Sequence, residues 1–165
     1  MQANLREPKD LETLLDTLAG KDGMARQRSR EQLVAMGRQI TPRLLPLLRH
    51  AHATPRWEAA KALVALADPA SVPELIAALS DEDQDVRWLA AEALGAIGQP
   101  ALVPLLQTLV EEDESLYLRE GVHRVLHELR DTELGEIVTP VYEAVSRSAS
   151  VDAVMAAEHA LELLR

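Results

Sequence analysis

The sequence has no cysteine and no phenylalanine, and aromatic residues make up only 2% of its 165 positions. Without cysteine, the chain cannot form a disulfide bond or offer a thiolate as a metal ligand or nucleophile. Hydrophobic residues still make up 47% of the chain, so its core has to be aliphatic. A core of Leu, Ala, Val and Ile favours closely packed helices over a β-sheet, in which β-branched and aromatic residues predominate.

Long apolar runs are also missing from the sequence. None approaches the roughly 20 apolar residues that a membrane span needs. Residues 1–10 lack the basic flank and apolar run of a signal peptide. We therefore expect a cytoplasmic location, no membrane partner and one domain, because a chain of 165 residues suits a single domain.

Charge is distributed unevenly along the chain, whose formal net charge is −10. Residues 1–50 hold 9 Lys/Arg and 6 Asp/Glu, whereas residues 51–165 hold 8 and 21. An acidic body repels phosphate backbones, so we expect no nucleic-acid partner. Solubility is a sufficient role for most of these acids.

Four arginines mark an internal repeat: Arg26, Arg56, Arg87 and Arg119, which are 30, 31 and 32 residues apart. Apolar residues recur at fixed offsets after these arginines. Offsets of three, seven and ten lie on one side of an α-helix, so each repeat is predicted to open with an amphipathic helix. The residues at the shared offsets in the two most regular repeats are Ala59, Ala60, Ala62, Leu63, Leu66, Ala90, Ala91, Ala93, Leu94 and Ile97.

A second pattern, centred on proline, follows each of these helices. Pro73 and Pro104 both come 17 residues after their arginines, and looser copies surround Pro46 and Pro140. Each repeat is therefore predicted to be helix, short turn, helix. Further prolines and glycines suit helix starts and helix ends, respectively: Pro55, Pro69, Pro100, Gly37 and Gly98.

One ~30-residue hairpin cannot bury its own apolar face, whereas a stack of hairpins can. The predicted fold is thus all-α, a right-handed α-solenoid of about four helical hairpins with flanking single helices. Residues 8–20 are interpreted as a lone second helix that begins near Pro8 and Asp10. Residues 150–165 are interpreted as a lone first helix with Ser150 as its N-cap. The predicted hairpins between them are residues 22–51, 54–80, 83–110 and 114–147.

The unit DEDQDVRWLAAEALGAIGQPALVPLLQTL, which begins at Asp81, resembles a HEAT-like repeat of the short, Ala-rich type also called phycobilisome-lyase HEAT-like. Repeat 54–79 resembles it too, with Val64 and Ala67 where the family favours glycine. The matching residues are Asp85, Val86, Arg87, Ala90, Ala91, Ala93, Leu94, Gly95, Ile97, Gly98, Val103, Pro104 and Leu106.

The resemblance implies a non-enzymatic scaffold that binds a protein or peptide and needs no cofactor. Second helices of HEAT-like units usually line the concave face, and the repeat arginines usually form hydrogen-bonded ladders. The family name suggests an alternative, an accessory subunit of a tetrapyrrole (phycobilin) lyase. A HEAT-like DNA-repair glycosylase would need a cationic groove, which an anionic body disfavours. The candidate concave-face residues are Arg43, Glu74, Gln107, Glu136 and Glu143.

Residues 81–92 carry acids at the first, third, fifth and twelfth positions, the ligand spacing of an EF-hand calcium loop. The sixth position is Val86 rather than the required glycine, and the seventh is the cation Arg87. We therefore expect no calcium site. The acids instead fill a turn, where Asp85 could cap the next helix or favour its N-terminus through the helix dipole.

Two groups of side chains are further candidates for binding a partner. Trp57 and Trp88 both follow a repeat arginine directly, about 160° from the apolar face. They could anchor a partner, but we favour packing of each indole against the preceding repeat's turn. The acidic turns could attract a basic partner, although a solvated ridge is the simpler interpretation. The acidic residues are Asp81, Glu82, Asp83, Glu111, Glu112, Asp113 and Glu114.

Metal binding and catalysis find little support in the sequence. His123 and His127 have the i, i+4 spacing that can share a metal ion. Small residues occupy the equivalent positions of the neighbouring repeats, however, so the histidines could simply fill an edge between helices. No nucleophile elbow or glycine-rich phosphate loop is present, and carboxylates in open turns do not acquire the raised pKa of a general acid.

Overall fold

The computed structural model describes residues 10–112, 115–147 and 150–165, with the side chain of Ser150 excepted. These residues form ten α-helices and contain no β-strand. Pro8, Asp113, Glu114 and the predicted Ser150 cap lie outside this description. The helices are α1 (Leu11–Leu18), α2 (Gly23–Ala35), α3 (Thr41–Leu44), α4 (Ala53–Leu66), α5 (Val72–Ala78), α6 (Gln84–Ile97), α7 (Gln99–Glu111), α8 (Leu116–Leu129), α9 (Gly135–Ser146) and α10 (Ser150–Leu163).

Short polar side chains begin several of these helices. The Asp10 carboxylate accepts a hydrogen bond of 2.7 Å from the Thr13 amide at the start of α1. Asp83 accepts from the backbone amides of the first turn of α6, at 2.9 and 3.2 Å. The N-cap of α6 is thus Asp83 and not Asp85, which lies inside the first turn, where a negative charge still favours the helix dipole.

First helices α2, α4, α6 and α8 lie side by side, and the second helices pack against them. The predicted offsets are confirmed in the two most regular repeats. Residues at these offsets in α4 are buried, as are those in α6 except Ile97, which is partly buried. Stacked helical hairpins with one continuous aliphatic core make the fold an α-solenoid. None of the helices described is both long and apolar enough to cross a bilayer.

The second helix of the first full hairpin is broken. The short α3 is flanked by 3₁₀ turns at Arg38–Ile40 and Leu45–Arg49. Pro46 lacks the N–H that would bond to the residue four positions earlier. Only three residues follow it before His50 becomes extended (φ −66°, ψ 145°), so the last turn tightens to 3₁₀. In α7 seven residues follow Pro104 inside the helix, and that helix continues.

The last helix also departs from the expected regular stack. As a lone first helix, α10 would lie beside α8. Its main packing partners are instead α7 and α9, both of them second helices. The main neighbours of α8 are α6 and α9. Ala153, Ala157 and Ala160 make this arrangement possible, because they form the fully buried side of α10 and allow close helix contact.

The junction after α4 suggests a stabilising substitution. Ala67 ends this helix in the left-handed region, at φ 44° and ψ 47°, a conformation that costs a residue with a Cβ about 1–2 kcal/mol. Glycine avoids that cost but loses about 0.5–1 kcal/mol more entropy on folding. Ala67→Gly should therefore raise the free energy of unfolding by about 0.5–1 kcal/mol, measured by urea denaturation.

Ala65→Gly is the matched control, because Ala65 is exposed and helical. It should lower the free energy of unfolding, by up to about 1 kcal/mol. Equal destabilisation by both substitutions would contradict the assigned strain at Ala67.

Candidate functional site

A groove of about 640 Å³ runs between α6 and α8 and reaches the end of α9. Its exposed apolar side chains are Trp88, Leu116 and Tyr117, which are 50%, 67% and 47% exposed. Arg87, Arg119, Arg124 and Glu120 also line it. We call this surface the α6–α8 groove. It combines exposed apolar side chains with guanidinium groups, whereas the body of the protein is acidic.

Two arginines of the α6–α8 groove stack on its aromatic rings. The guanidinium carbon of Arg124 lies 3.0 Å from the ring centroid of Trp88, and that of Arg87 lies 4.2 Å from the centroid of Tyr117. Each stack joins one repeat to the next, since Trp88 and Arg87 are on α6 and their partners are on α8. Cation–π contacts of this kind hold the guanidinium planes in fixed orientations.

Repeat arginines bond to the turn that precedes their own helix. Arg26 donates to the carbonyl of Gly20 at 2.9 Å, and Arg56 donates to that of His50 at 2.9 Å. Arg87 likewise donates to the backbone carbonyl of Asp81, six residues upstream, at 2.7 Å. For Arg119 the equivalent carbonyl is that of residue 113, which lies outside the described residues.

The predicted acidic docking site around residue 81 is largely an internal ion-pair network. Arg56, which is only 5% exposed, binds both carboxylate oxygens of Asp81, at 2.8 and 2.9 Å, and reaches Glu82 at 3.0 Å. The hydrogen bond from Asp81 raises the pKa of Arg56 above its usual range, against the opposing effect of burial. Asp81 also accepts from the Asp83 amide at 2.8 Å. These acids therefore hold two repeats together, and the side chain of Glu82, 82% exposed, faces solvent.

A second buried carboxylate was missed by the sequence interpretation. Glu58 is 3% exposed and pairs with Arg26, at 2.9 Å, and with Arg30 of the preceding repeat. The position two residues after a repeat arginine differs between repeats: it holds Arg28, Glu58, Leu89 and Gly121. The polar residues of α2 at core offsets, Ser29, Arg30 and Gln32, were the available signal, because a partly buried arginine favours a carboxylate partner.

A family model for HEAT repeats matches residues 41–127, just over half of the chain. The chain belongs to the HEAT repeat family. The matched region extends from α3 into α8 and includes most of the α6–α8 groove. A comparison with curated proteins gave no match.

The two tryptophans of the HEAT repeats lie in different environments. Trp57 is partly buried against the core, with the guanidinium carbon of Arg30 5.4 Å from its ring centroid. Trp88 is half exposed. The cation–π partner of Trp57 is on the first helix of the preceding repeat and that of Trp88 is on the first helix of the following repeat; packing of the indoles against the preceding turn stays a prediction. Arg30 is four residues after its repeat arginine, and Ala60 occupies that position in the next repeat, so the guanidinium over Trp88 comes from Arg124 of the following repeat instead.

The predicted second-helix residues lie on four different helices, α3, α5, α7 and α9. Arg43 pairs with Glu12 at 2.5 Å, and Glu143 pairs with Arg147 at 3.2 Å. Glu74 is partly buried, whereas Gln107 is exposed. Glu136 is exposed and lines an open depression beside Arg130 and Glu133. Glu111 and Glu112 are exposed at the end of α7.

The histidine pair of α8 faces Tyr142 of α9. The ring of His123 stacks on Tyr142 with centroids 4.5 Å apart, and that of His127 is tilted at 5.9 Å. Burial lowers the pKa of His123, with further lowering from the charges of His127, Arg124 and Arg130. Within the ranges that the structure describes, no three His, Cys, Asp or Glu residues are grouped to hold a metal ion. The pair lies in a packed edge between two helices.

The Arg56 network can be tested by truncation. Arg56→Ala leaves Asp81 nearly buried without its partner, so we expect a loss of about 3–5 kcal/mol in the free energy of unfolding, measured by urea denaturation. Arg43→Ala is the control, because its ion pair with Glu12 is exposed and should cost under about 1 kcal/mol. Similar losses in both variants would contradict the structural role of the Asp81 turn.

His123 predicts a pH dependence of stability. Since its pKa is lower in the folded protein than in the unfolded chain, the unfolded chain binds more protons, and stability falls as pH decreases through the unfolded value of about 6.5. His123→Phe keeps a ring beside Tyr142 and cannot titrate. Between pH 7.5 and 5, unfolding free energies should therefore decline less in the variant than in the wild type. Parallel pH profiles would contradict this assignment.

Proposed function

We propose that this HEAT repeat protein is a non-enzymatic scaffold that binds another protein or a peptide in the α6–α8 groove. The observation that carries the proposal is the exposure of Trp88, Leu116 and Tyr117 around a single groove. Exposed apolar clusters of this kind mark interaction sites, and aromatic and arginine side chains dominate binding energy at protein interfaces. HEAT repeats commonly serve as interaction scaffolds.

The chemistry of the groove supports binding over catalysis. Ser146 lines it near His123, but the Ser146 hydroxyl donates to the backbone carbonyl of Tyr142 at 2.7 Å and not to an imidazole. The ring of His123 is stacked on Tyr142. Such an arrangement differs from a nucleophile bonded to an oriented base. The aromatic rings and guanidinium groups of the groove are suited to contact a partner's side chains.

The other predicted surfaces are secondary in this proposal. The exposed second-helix residues Gln107 and Glu136 and the acids Glu82, Glu111 and Glu112 could extend the contact area with a partner. Asp81 and Asp83 are already engaged in bonds within the chain. We therefore assign the principal binding role to the groove.

One observation also fits the alternative role of a tetrapyrrole-lyase accessory subunit. Arginines next to aromatic rings could bind the propionate carboxylates and the ring system of a bilin. A bilin titration followed by absorbance tests this directly. A spectral shift that disappears in Trp88→Ser would favour the accessory role, and an unchanged spectrum would remove it.

Affinity capture from the source organism tests the scaffold proposal. Trp88→Ser/Tyr117→Ser removes both aromatic rings of the groove and should abolish capture of the specific partner, identified by mass spectrometry. Met24→Ser is the matched control, because Met24 is 58% exposed on α2, outside the groove. It should retain the partner. Capture that is unaffected by the double substitution, in a variant with the circular dichroism of the wild type, would overturn the proposed site.

A further inference from the structure

The charge of the α6–α8 groove is opposite to that of the protein. Arg87, Arg119 and Arg124 line it together with the single carboxylate of Glu120, although the whole chain has a formal net charge of −10. A cationic groove in an anionic body attracts only ligands whose negative charge is local, because extended polyanions meet the repulsion of the surrounding surface.

The guanidinium groups are oriented before any ligand arrives. Arg124 is stacked on Trp88, and Arg87 is held both by Tyr117 and by the carbonyls of Asp81 and Glu82, at 2.7 and 3.2 Å. Stacking uses the face of a guanidinium and leaves its N–H edge available for a carboxylate. Among the hydrogen bonds found between described residues, none uses the Arg124 guanidinium.

Arg124 is partly desolvated and lies near two carboxylates, those of Glu128 and Glu92. Burial lowers its pKa, and the carboxylates of Glu128 and Glu92 only partly oppose that effect. Partial loss of water strengthens the attraction between a guanidinium and an anion, whereas the charges of Glu92 and Glu128 oppose a further anion.

The groove also has apolar and closely packed parts. A Cβ atom at Gly121 would lie 2.7 Å from Cδ2 of Leu79, so α8 packs closely against that side chain. Ala91 lies beside it, almost fully buried. Leu116 adds an apolar side chain that is 67% exposed. A ligand that fills the groove needs apolar side chains as well as negative charge.

We propose that the α6–α8 groove binds a short acidic peptide segment of a partner protein, in which carboxylates alternate with apolar side chains. The carboxylates pair with Arg124 and with the free edge of Arg87, and the apolar side chains pack on Trp88, Tyr117 and Leu116. This inference rests on the proposed scaffold function and specifies its partner. It replaces the basic partner that the acidic turns suggested.

Peptide titrations followed by fluorescence anisotropy test the inference on the intact protein. A short fluorescein-labelled peptide that alternates glutamate with leucine should bind, and its affinity should fall as salt is added. The same peptide with lysine in place of glutamate should not bind. Arg124→Gln should weaken binding by roughly 10- to 100-fold, as expected for loss of a charge-assisted hydrogen bond.

Arg43→Gln is the matched control, because it makes the same chemical change at an exposed arginine outside the groove, and it should leave the affinity within about twofold. Three results would overturn the inference: preference for the lysine peptide, equal affinity in Arg124→Gln, or tighter binding of a short oligo-dT than of the glutamate peptide. If cellular capture depends on Trp88 and Tyr117 while the glutamate peptide does not compete, the scaffold proposal stands and the acidic class is wrong.

Discussion

The bond from a repeat arginine to the carbonyl six residues before it, made by Arg26, Arg56 and Arg87 in the described part of the chain, is the interaction on which the rest of the stack depends. Those carbonyls belong to residues that follow a second helix, where backbone acceptors have no partner within the helix. A guanidinium that reaches back from the next first helix satisfies them with a charge-assisted bond. Each bond therefore joins the end of one hairpin to the start of the next. Bonds of this kind at Gly20, His50 and Asp81 determine how successive hairpins are placed.

The arginines also determine where the acidic residues belong. Arg56 is almost fully buried, so it requires carboxylates at the turn it faces, and Asp81 meets that requirement with both oxygens. At the preceding junction the acid comes from the helix itself, as Glu58, and the arginines come from α2. Helix α4 thus supplies the carboxylate of the ion pair at one junction and the arginine of the ion pair at the other. Part of the chain's negative charge is structural, and a count of acids overstates what a partner can reach.

Much of the fold could be predicted because it follows from local periodicity. The arginine spacing and the alanine offsets identified the hairpins, and Asp10 identified the first helix. Periodicity carries no information on which neighbour a terminal helix selects, so the packing of α10 against α7 and α9 was not predictable. The break in the second helix at Pro46 depends on how few residues follow that proline. The guanidinium over Trp57 comes from the preceding repeat, as Arg30, whereas that over Trp88 comes from the following repeat, as Arg124, a difference that the shared offsets do not encode.

The candidate site was difficult to predict because it lies where the repeats differ from each other. Position five after the repeat arginine is Lys61 in one repeat and Glu92 in the next, and these two pair with each other at 3.6 Å. The same position on α8 is Arg124, which has the tryptophan of α6 within reach. The repeat thus places equivalent positions side by side on neighbouring helices. A different residue at one of these positions changes an ion-paired surface into one where a guanidinium lies against an aromatic ring. In a repeat protein, function is therefore more readily found in departures from the shared pattern than in the pattern itself.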